Sequence, residues 1–121
     1  MYAEKHAVDI TTASGGGATA YSPNVTGRIL SVQYVKTDFA NGVDFTITLE
    51  STGQAILTLT DQNASGLFYP RVGVHGPTGA ALIYAGTDIV AEPVVAVNDR
   101  VKIVVASGGD TKTGTVKIVV G

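Results

Sequence analysis

The sequence predicts an all-β domain, and three observations favour that class. Apolar residues recur with a period of two, as in Phe45-Thr46-Ile47-Thr48-Leu49, where every second side chain is apolar. Gly, Asn and Asp separate such runs. No long segment carries the 3.6-residue apolar period of a helix. We therefore expect an antiparallel β-sandwich, jelly-roll-like, of about eight strands, and a small closed barrel is the alternative.

The predicted strands follow in chain order. A strand from Arg28 to Val35 places Leu30, Val32 and Tyr34 on one face and Ile29 on the other. After a turn over 38–44, the alternating strand 45–49 follows, and a second turn covers 51–54. The next strand, 55–60, directs Ala55, Leu57 and Leu59 to one face and Ile56 to the other. Pro93 interrupts the one helix-like stretch, around Thr87 to Val97, so we expect at most one short helical turn there.

The five residues VKIVV occur twice near the C-terminus, at 101–105 and 116–120. Both copies predict a strand with one fully apolar face, formed by Val101, Ile103 and Val105 in the first copy and by the equivalent side chains in the second. Such a face packs on a second sheet. The glycine-rich connection 107–114 fits either a hairpin or a longer crossover.

Three consecutive glycines, in Ser14-Gly15-Gly16-Gly17, stand near the N-terminus. Ordering such a run has a high entropic cost. We therefore divide the chain into a flexible N-terminal arm with a glycine hinge, residues 1–17, and a β-sandwich domain, residues 18–121. Met1 to Ile10 is expected to form the arm or an edge strand.

Composition excludes several classes of function. The 121 residues are about one domain, and no cysteine is present, which removes disulfides and thiolate chemistry. The net charge of −2 is spread along the chain, so nucleic acid is not an expected partner. No apolar run is long enough for a bilayer span and the N-terminus has no signal-peptide core, so we expect no membrane partner and synthesis in a cytoplasm.

Candidate chemical groups are few. Asp38, Asn41, Gly42 and Asp44 resemble a calcium loop, but Ala40 stands where a side-chain ligand is expected, which favours a structural turn. His6 and His75 are the only histidines, and neither lies in a catalytic signature. A solvent-facing or interface histidine is the favoured interpretation of each.

The remaining motifs also point away from catalysis. The triple glycine lacks the following Lys and helix of a phosphate loop. Three glutamates are isolated in the sequence: Glu4, Glu50 and Glu92. With no tryptophan, the tyrosines beside apolar runs are expected in packing rather than in a sugar platform: Tyr21, Tyr34, Tyr69 and Tyr84. We predict no catalytic residue, no cofactor and no metal.

Several segments resemble a family of small structural proteins of tailed bacteriophages. They are Tyr21-Ser22-Pro23, the stretch Thr26 to Lys36, the stretch Asp38 to Thr48, and an ending made of Val97 to Val105, Gly114-Thr115 and Val119-Val120-Gly121. The resemblance runs from Tyr21 to the C-terminus, except over Gly66 to Pro93, where no residues match.

The resemblance implies a non-enzymatic virion protein that decorates and cements the capsid. It implies the major capsid protein and other copies of the same chain as partners, with a homotrimer as the common assembly, on the surface of a virion assembled in the host cytoplasm. Alternating side chains before the glycine run suggest a separate hypothesis, that Tyr2, His6, Val8 and Ile10 form the arm's contacts with the capsid or a neighbouring subunit.

Two other functions are weighed against this one. A receptor- or carbohydrate-binding module of a phage tail or neck would present clustered, exposed tyrosines. An unrecognised hydrolase, the least favoured, would need a pocket that joins His75 to a carboxylate and a hydroxyl nucleophile.

Overall fold

The computed structural model describes residues 3–84, 86 and 88–121, with no side-chain description of Tyr84. Within these residues the chain is all-β and has no helix. No described segment is therefore a helix that could span a membrane. The described residues form thirteen strands, in the order β1 Glu4–Thr11, β2 Ala18–Tyr21, β3 Val25–Lys36, β4 Asp44–Leu49, β5 Ala55–Leu59, β6 Gly66–Phe68, β7 Val72–Gly73, β8 Ile83–Tyr84, β9 Asp88–Ile89, β10 Ala91–Glu92, β11 Val95–Asp99, β12 Val101–Ala106 and β13 Thr113–Val120.

Two antiparallel sheets form the body of the protein. One has the order β1-β13-β3-β11, with β6 also paired to β3, and the other has the order β2-β12-β4-β5. Buried side chains from both sheets belong to a single hydrophobic core. Three aromatic rings lie within it: the Tyr34 ring is 4.7 Å from Phe45 and 6.1 Å from Phe39, measured between centroids.

The two VKIVV copies lie in different sheets. The first forms β12, between β2 and β4, and the second forms most of β13, between β1 and β3. The glycine-rich connection therefore crosses from one sheet to the other and does not close a hairpin. The predicted inward side chains are all buried, with Ile103 and Ile118 at 0% exposure. The repeat thus supplies two equivalent central strands to one core.

Two predicted strand faces are wrong, and each error lies beside a β-bulge. Ile29 was expected opposite Val32 and Tyr34, yet all three are buried, because the β3–β13 register shifts between Val119 and Val120. Similarly, Ile56 is buried although Leu57 and Leu59 pack against the same core, and the β4–β5 register shifts between Ile47 and Thr48. A bulge adds one residue to a strand and so reverses the alternation beyond it.

Of the two forms expected for the N-terminal segment, an arm or an edge strand, residues 4–11 form the edge strand. All eight residues of β1 pair with β13, from Glu4 opposite Val120 to Thr11 opposite Thr113. The glycine run is a closed turn, because the Ala13 N–H donates to Gly17 O and the Gly108 N–H donates to Gly16 O. A Cβ at Gly16 would lie 3.1 Å from Gly109 N, and the φ of Gly16 is +84°. These glycines dock β1 onto the body instead of releasing it.

One edge strand of the first sheet is interrupted. Both β6 and β11 run antiparallel to β3 along the edge that β13 does not occupy, with Phe68 opposite Val32 and Val95 opposite Arg28. They are two parts of one broken edge strand. We call the chain between them, residues 69–94, the inserted lobe. The described residues of 87–97, where at most one short helical turn was expected, form strands and no helix.

Candidate interaction surface

The inserted lobe is held together by short strands and tight turns. Its β7 pairs with β10 and its β8 pairs with β9, each strand having only two residues. Three backbone bonds tie these pairs together, from Val74 N–H to Val90 O, from Leu82 N–H to Val74 O and from Val90 N–H to Leu82 O. Gly79, with a φ of +88°, permits the turn that brings Gly76 N–H to Ala80 O at 2.8 Å. The lobe is therefore ordered by backbone hydrogen bonds more than by a core of its own.

Large apolar side chains are exposed mainly in and beside this lobe. Among the described residues, eight large hydrophobic side chains are exposed, and Tyr21 alone lies outside 67–97. The other seven, which we call the exposed apolar set, are Leu67, Tyr69, Leu82, Ile83, Ile89, Val95 and Val97. Ile89 is 60% exposed and Val97 74%. These exposed groups are concentrated in one stretch of the chain, which makes that stretch the candidate for a surface that another molecule covers.

The predicted contact residues do not lie on this surface. Val8 and Ile10 are buried in the core, so they are not available for contacts in the folded chain, and that part of the hypothesis is wrong. His6 is half-buried on β1, with its Nε2 3.4 Å from a carboxylate oxygen of Glu4. Tyr2 lies outside the described residues. The alternation along β1 is that of an edge strand with one face on the core.

The calcium-like loop uses its oxygens in separate hydrogen bonds. Asp38 accepts from the backbone N–H and the hydroxyl of Thr113, and the backbone N–H is the main reason that the pKa of Asp38 is lowered. Asn41 Oδ1 accepts from Lys36 Nζ at 2.7 Å, while Asp44 Oδ1 accepts from the Asp61 N–H at 3.0 Å. These oxygens fasten the loop to three different neighbours and do not converge on one point.

A charged cluster that the sequence did not reveal joins the turn after β4 to the start of β12. The guanidinium of Arg100 forms a bidentate pair with the Glu50 carboxylate and lies over the Tyr21 ring, 4.1 Å from its centroid. The adjacent Asp99 is buried and accepts from the Ser51 hydroxyl at 2.6 Å. That hydrogen bond is the first cause that lowers the pKa of Asp99. The carboxylates of Glu50 and Asp99 are both engaged by partners within the cluster, which fixes the turn.

The remaining polar candidates do not assemble into a reactive site. No group of three or more His, Asp or Glu side chains with metal-binding spacing occurs in the described part of the chain. His75 lies in the inserted lobe, bridged through its backbone to Ala81, whereas His6 lies on β1. A depression of about 250 Å³ beside β1 is lined by Glu4, Asn24, Val25, Thr26 and Val120. Glu4 is the one titratable side chain among these five, so the depression offers no acid–base pair.

The tyrosines also lie apart. Tyr34 is in the core, and Tyr21 is partly covered by Arg100. Tyr69, which follows β6, is 63% exposed. Because Tyr21 and Tyr69 are attached to different sheets, the described tyrosines do not form the clustered platform that a sugar-binding module would present.

Comparisons with known proteins add no assignment to this geometry. A scan against known protein families found none that matches the chain, and a search of curated proteins found no similar sequence. The exposed apolar set is thus identified by its own physical properties.

Proposed function

We propose that this chain is a non-enzymatic structural protein of a bacteriophage virion. It decorates and stabilises the capsid by binding the major capsid protein, and it assembles as a homotrimer. The assignment to a bacteriophage virion rests on the resemblance of 21–65 and 94–121 to small virion proteins of tailed phages. The concentration of exposed apolar side chains in and beside the inserted lobe carries the argument from the molecule itself.

The energetic case rests on what those side chains gain when they are covered. Full burial of a Leu, Ile or Val side chain contributes roughly 1.5–3 kcal/mol relative to full exposure. The seven side chains of the exposed apolar set are only partly exposed, so covering all of them would offset a substantial part of the cost of association, and other contacts would supply the rest. Many copies on one shell would convert weak single contacts into firm attachment.

The position of the lobe fits this role. It is inserted into an edge strand; its residues Val72 and Val94 pack on the core of the main sheets, whereas Leu82, Ile83 and Ile89 are exposed. The stretch Gly66 to Pro93 is also the part where the resemblance to phage proteins stops. We infer that the two main sheets supply rigidity and that the lobe supplies recognition of one particular shell.

We further propose that the two sheets form a jelly-roll sandwich. Its support is the strand order: if β6 and β11 count as one strand, each sheet has four. Consecutive strands of the two sheets then alternate between them, except for the neighbouring pair β4 and β5, as in two nested Greek keys. Jelly rolls occur in viral capsid proteins and in lectins, so the fold is compatible with this function without requiring it.

The second candidate is a receptor- or carbohydrate-binding module of a phage tail or neck. The observation in its favour is Tyr69, an exposed aromatic ring beside the inserted lobe. A single ring is a weaker argument than seven exposed apolar groups, because sugar platforms combine several rings with polar side chains.

Quantitative mass spectrometry of purified virions tests the proposal. A copy number comparable to that of the major capsid protein is expected for a decoration protein. A copy number that is a small fraction of the shell's would favour the tail or neck module. Absence of the chain from virions would overturn both.

A further inference from the structure

The outer edge of β1 is an unpaired strand edge. Among the described residues β1 pairs only with β13, and this pairing covers all eight of its positions. In an antiparallel sheet the N–H and C=O groups of alternate residues point away from the paired neighbour. An edge of this length is a template for another strand, and proteins that remain monomeric usually block it.

The exposed face of β1 carries one positive and one negative charge around a small residue. Lys5, Ala7 and Asp9 are all exposed and alternate along this face. Four residues of strand span about 13 Å, so Lys5 and Asp9 cannot pair within one copy. Within the described structure Lys5 has no hydrogen bond or ion pair, and the Asp9 carboxylate accepts one bond, from the Thr115 hydroxyl at 2.9 Å.

We propose that β1 pairs antiparallel with β1 of a second copy, about a two-fold axis that passes beside Ala7. In that register Ala7 lies opposite its own equivalent, and Lys5 of each copy lies opposite Asp9 of the other. Directly opposed side chains on one face have Cβ atoms about 4.5–5.5 Å apart, which suits an ion pair. The contact is isologous, so it contains the pair twice.

The charges select this register over its neighbours. A shift of the axis from Ala7 to Lys5 opposes the two lysines, and a shift to Asp9 opposes the two aspartates. Like charges directly opposite each other destabilise a strand pair. A lysine on an edge strand normally discourages pairing with another strand. In the register with the axis at Ala7, however, each Lys5 faces an Asp9 of opposite charge.

This contact is independent of the proposed attachment to a capsid. In the first sheet β1 lies at one edge and the broken strand β6–β11 at the other. Pairing through β1 therefore leaves Leu67, Val95 and Val97 of the exposed apolar set uncovered. If the copies form trimers through other surfaces, the β1 contact would join trimers in pairs.

Cysteine cross-linking tests the geometry, because the natural chain has no cysteine. Ala7→Cys would place two thiols opposite each other across the axis, and mild oxidation is expected to convert most of the purified protein to a disulfide-linked dimer. Thr11→Cys is the matched control on the same exposed face, since it would lie opposite Ala3 of the other copy. Absence of cross-linking at position 7, or equal cross-linking at both positions, would overturn the proposal.

Exchange of the two charges tests whether the Lys5–Asp9 pairs stabilise the association of two copies, which sedimentation equilibrium measures. Lys5→Glu and Asp9→Lys each create two like-charge pairs, and each is expected to weaken the two-fold association at least about tenfold, the equivalent of 1.4 kcal/mol. The double variant Lys5→Glu/Asp9→Lys exchanges the charges and is expected to restore it. If association is the same in all four proteins, or if the double variant associates as weakly as the single ones, β1 does not form this contact. Neither result depends on whether the chain occurs in virions.

Discussion

The central strands and the inserted lobe use apolar residues in opposite ways. In β12 and β13 the apolar side chains of one face are almost completely buried, as for Ile103 and Ile118 at 0% exposure. In the lobe, Ile83 and Ile89 are 53% and 60% exposed. The central strands thus carry the packing that stabilises the fold, whereas the lobe carries the exposed side chains to which we propose to assign recognition.

Strand length explains the difference. A strand of six or eight residues presents three or four side chains to a facing sheet, and the two main sheets meet over such faces. The lobe has strands of two residues, which cannot cover a face with their own side chains. Its apolar groups are therefore exposed in the single chain.

The largest effect is expected for truncation of a central side chain. Ile118→Ala should lower the free energy of unfolding by about 2–5 kcal/mol, because it removes buried methyl groups and leaves a cavity. The matched lobe variant Ile89→Ala should change it by no more than about 0.5 kcal/mol, since the side chain is exposed. Urea unfolding of both proteins measures the contrast, and equal losses would show that the lobe shares the core's packing.

A glycine in β13 gives the next largest effect. A Cβ at Gly114 would lie 2.5 Å from Cε2 of the buried Phe39 ring. Gly114→Ala should therefore cost about 1–3 kcal/mol through overpacking. Gly15→Ala is the control, because no atom lies within 4 Å of its added Cβ. Its unfolding free energy should be unchanged or raised by less than about 1 kcal/mol, and a loss at Gly15 equal to that at Gly114 would contradict the packing argument.

Acid sensitivity should come from the turns of the main body. The pKa of Asp99 is below its ordinary value of 3.8, first because the Ser51 hydroxyl donates to it. Between the folded and the ordinary pKa the native state binds fewer protons than the unfolded state, so stability rises with pH there. The contribution of Asp99 is complete above the ordinary value and is lost as the pH falls through the folded pKa.

Ser51→Ala and Asp99→Asn both test whether Asp99 is a source of the acid sensitivity. Each should flatten the dependence of the unfolding midpoint on pH below about 4, where an ordinary aspartate titrates. Urea unfolding from pH 2.5 to 6 measures the slope. Acid profiles that match the unmodified protein would assign the sensitivity to other carboxylates, such as Asp38.

The smallest effect is expected at Tyr34. Its hydroxyl is buried without a hydrogen-bond partner in the described structure, and burial raises the pKa of the tyrosine. Tyr34→Phe removes a desolvated polar group and keeps the ring contacts with Phe39 and Phe45, so stability should be unchanged or increase by up to about 1 kcal/mol. Thermal unfolding measures it, and a clear loss would indicate a partner for the hydroxyl.

Sequence pattern was sufficient for the regular strands and failed at irregular ones. The alternation in Phe45 to Leu49 and in both VKIVV copies predicted the buried faces correctly, since the extra residue of each bulge lies in a partner strand and one face of each of these strands lies on the core. Ile29 and Ile56 were placed on the wrong face because each lies beside a bulge. A bulge depends on the pairing with another strand, which is not readable from local alternation.

The candidate surface could not be predicted from sequence periodicity either. Two-residue strands such as β8 and β9 are too short for any repeat, so the lobe gave no strand signal. The pair of Glu50 with Arg100 joins residues 50 positions apart and requires the β4–β12 register. The flexibility expected for the glycine run is not seen, because a docked turn offsets its cost in entropy. That turn forms only in the folded chain.

Deletion of the inserted lobe is the most direct test of the proposal that the two main sheets stabilise the fold and the lobe binds the capsid. Val32 pairs with Phe68 and Arg28 with Val95, so a short linker opposite residues 29–31 would join β6 and β11 into one continuous edge strand. The measurement is occupancy of this shortened chain on shells of the major capsid protein that lack the natural one, alongside its thermal unfolding. We predict a cooperatively folded protein that no longer binds; a folded protein that occupies the shells as fully as the natural chain would contradict the account.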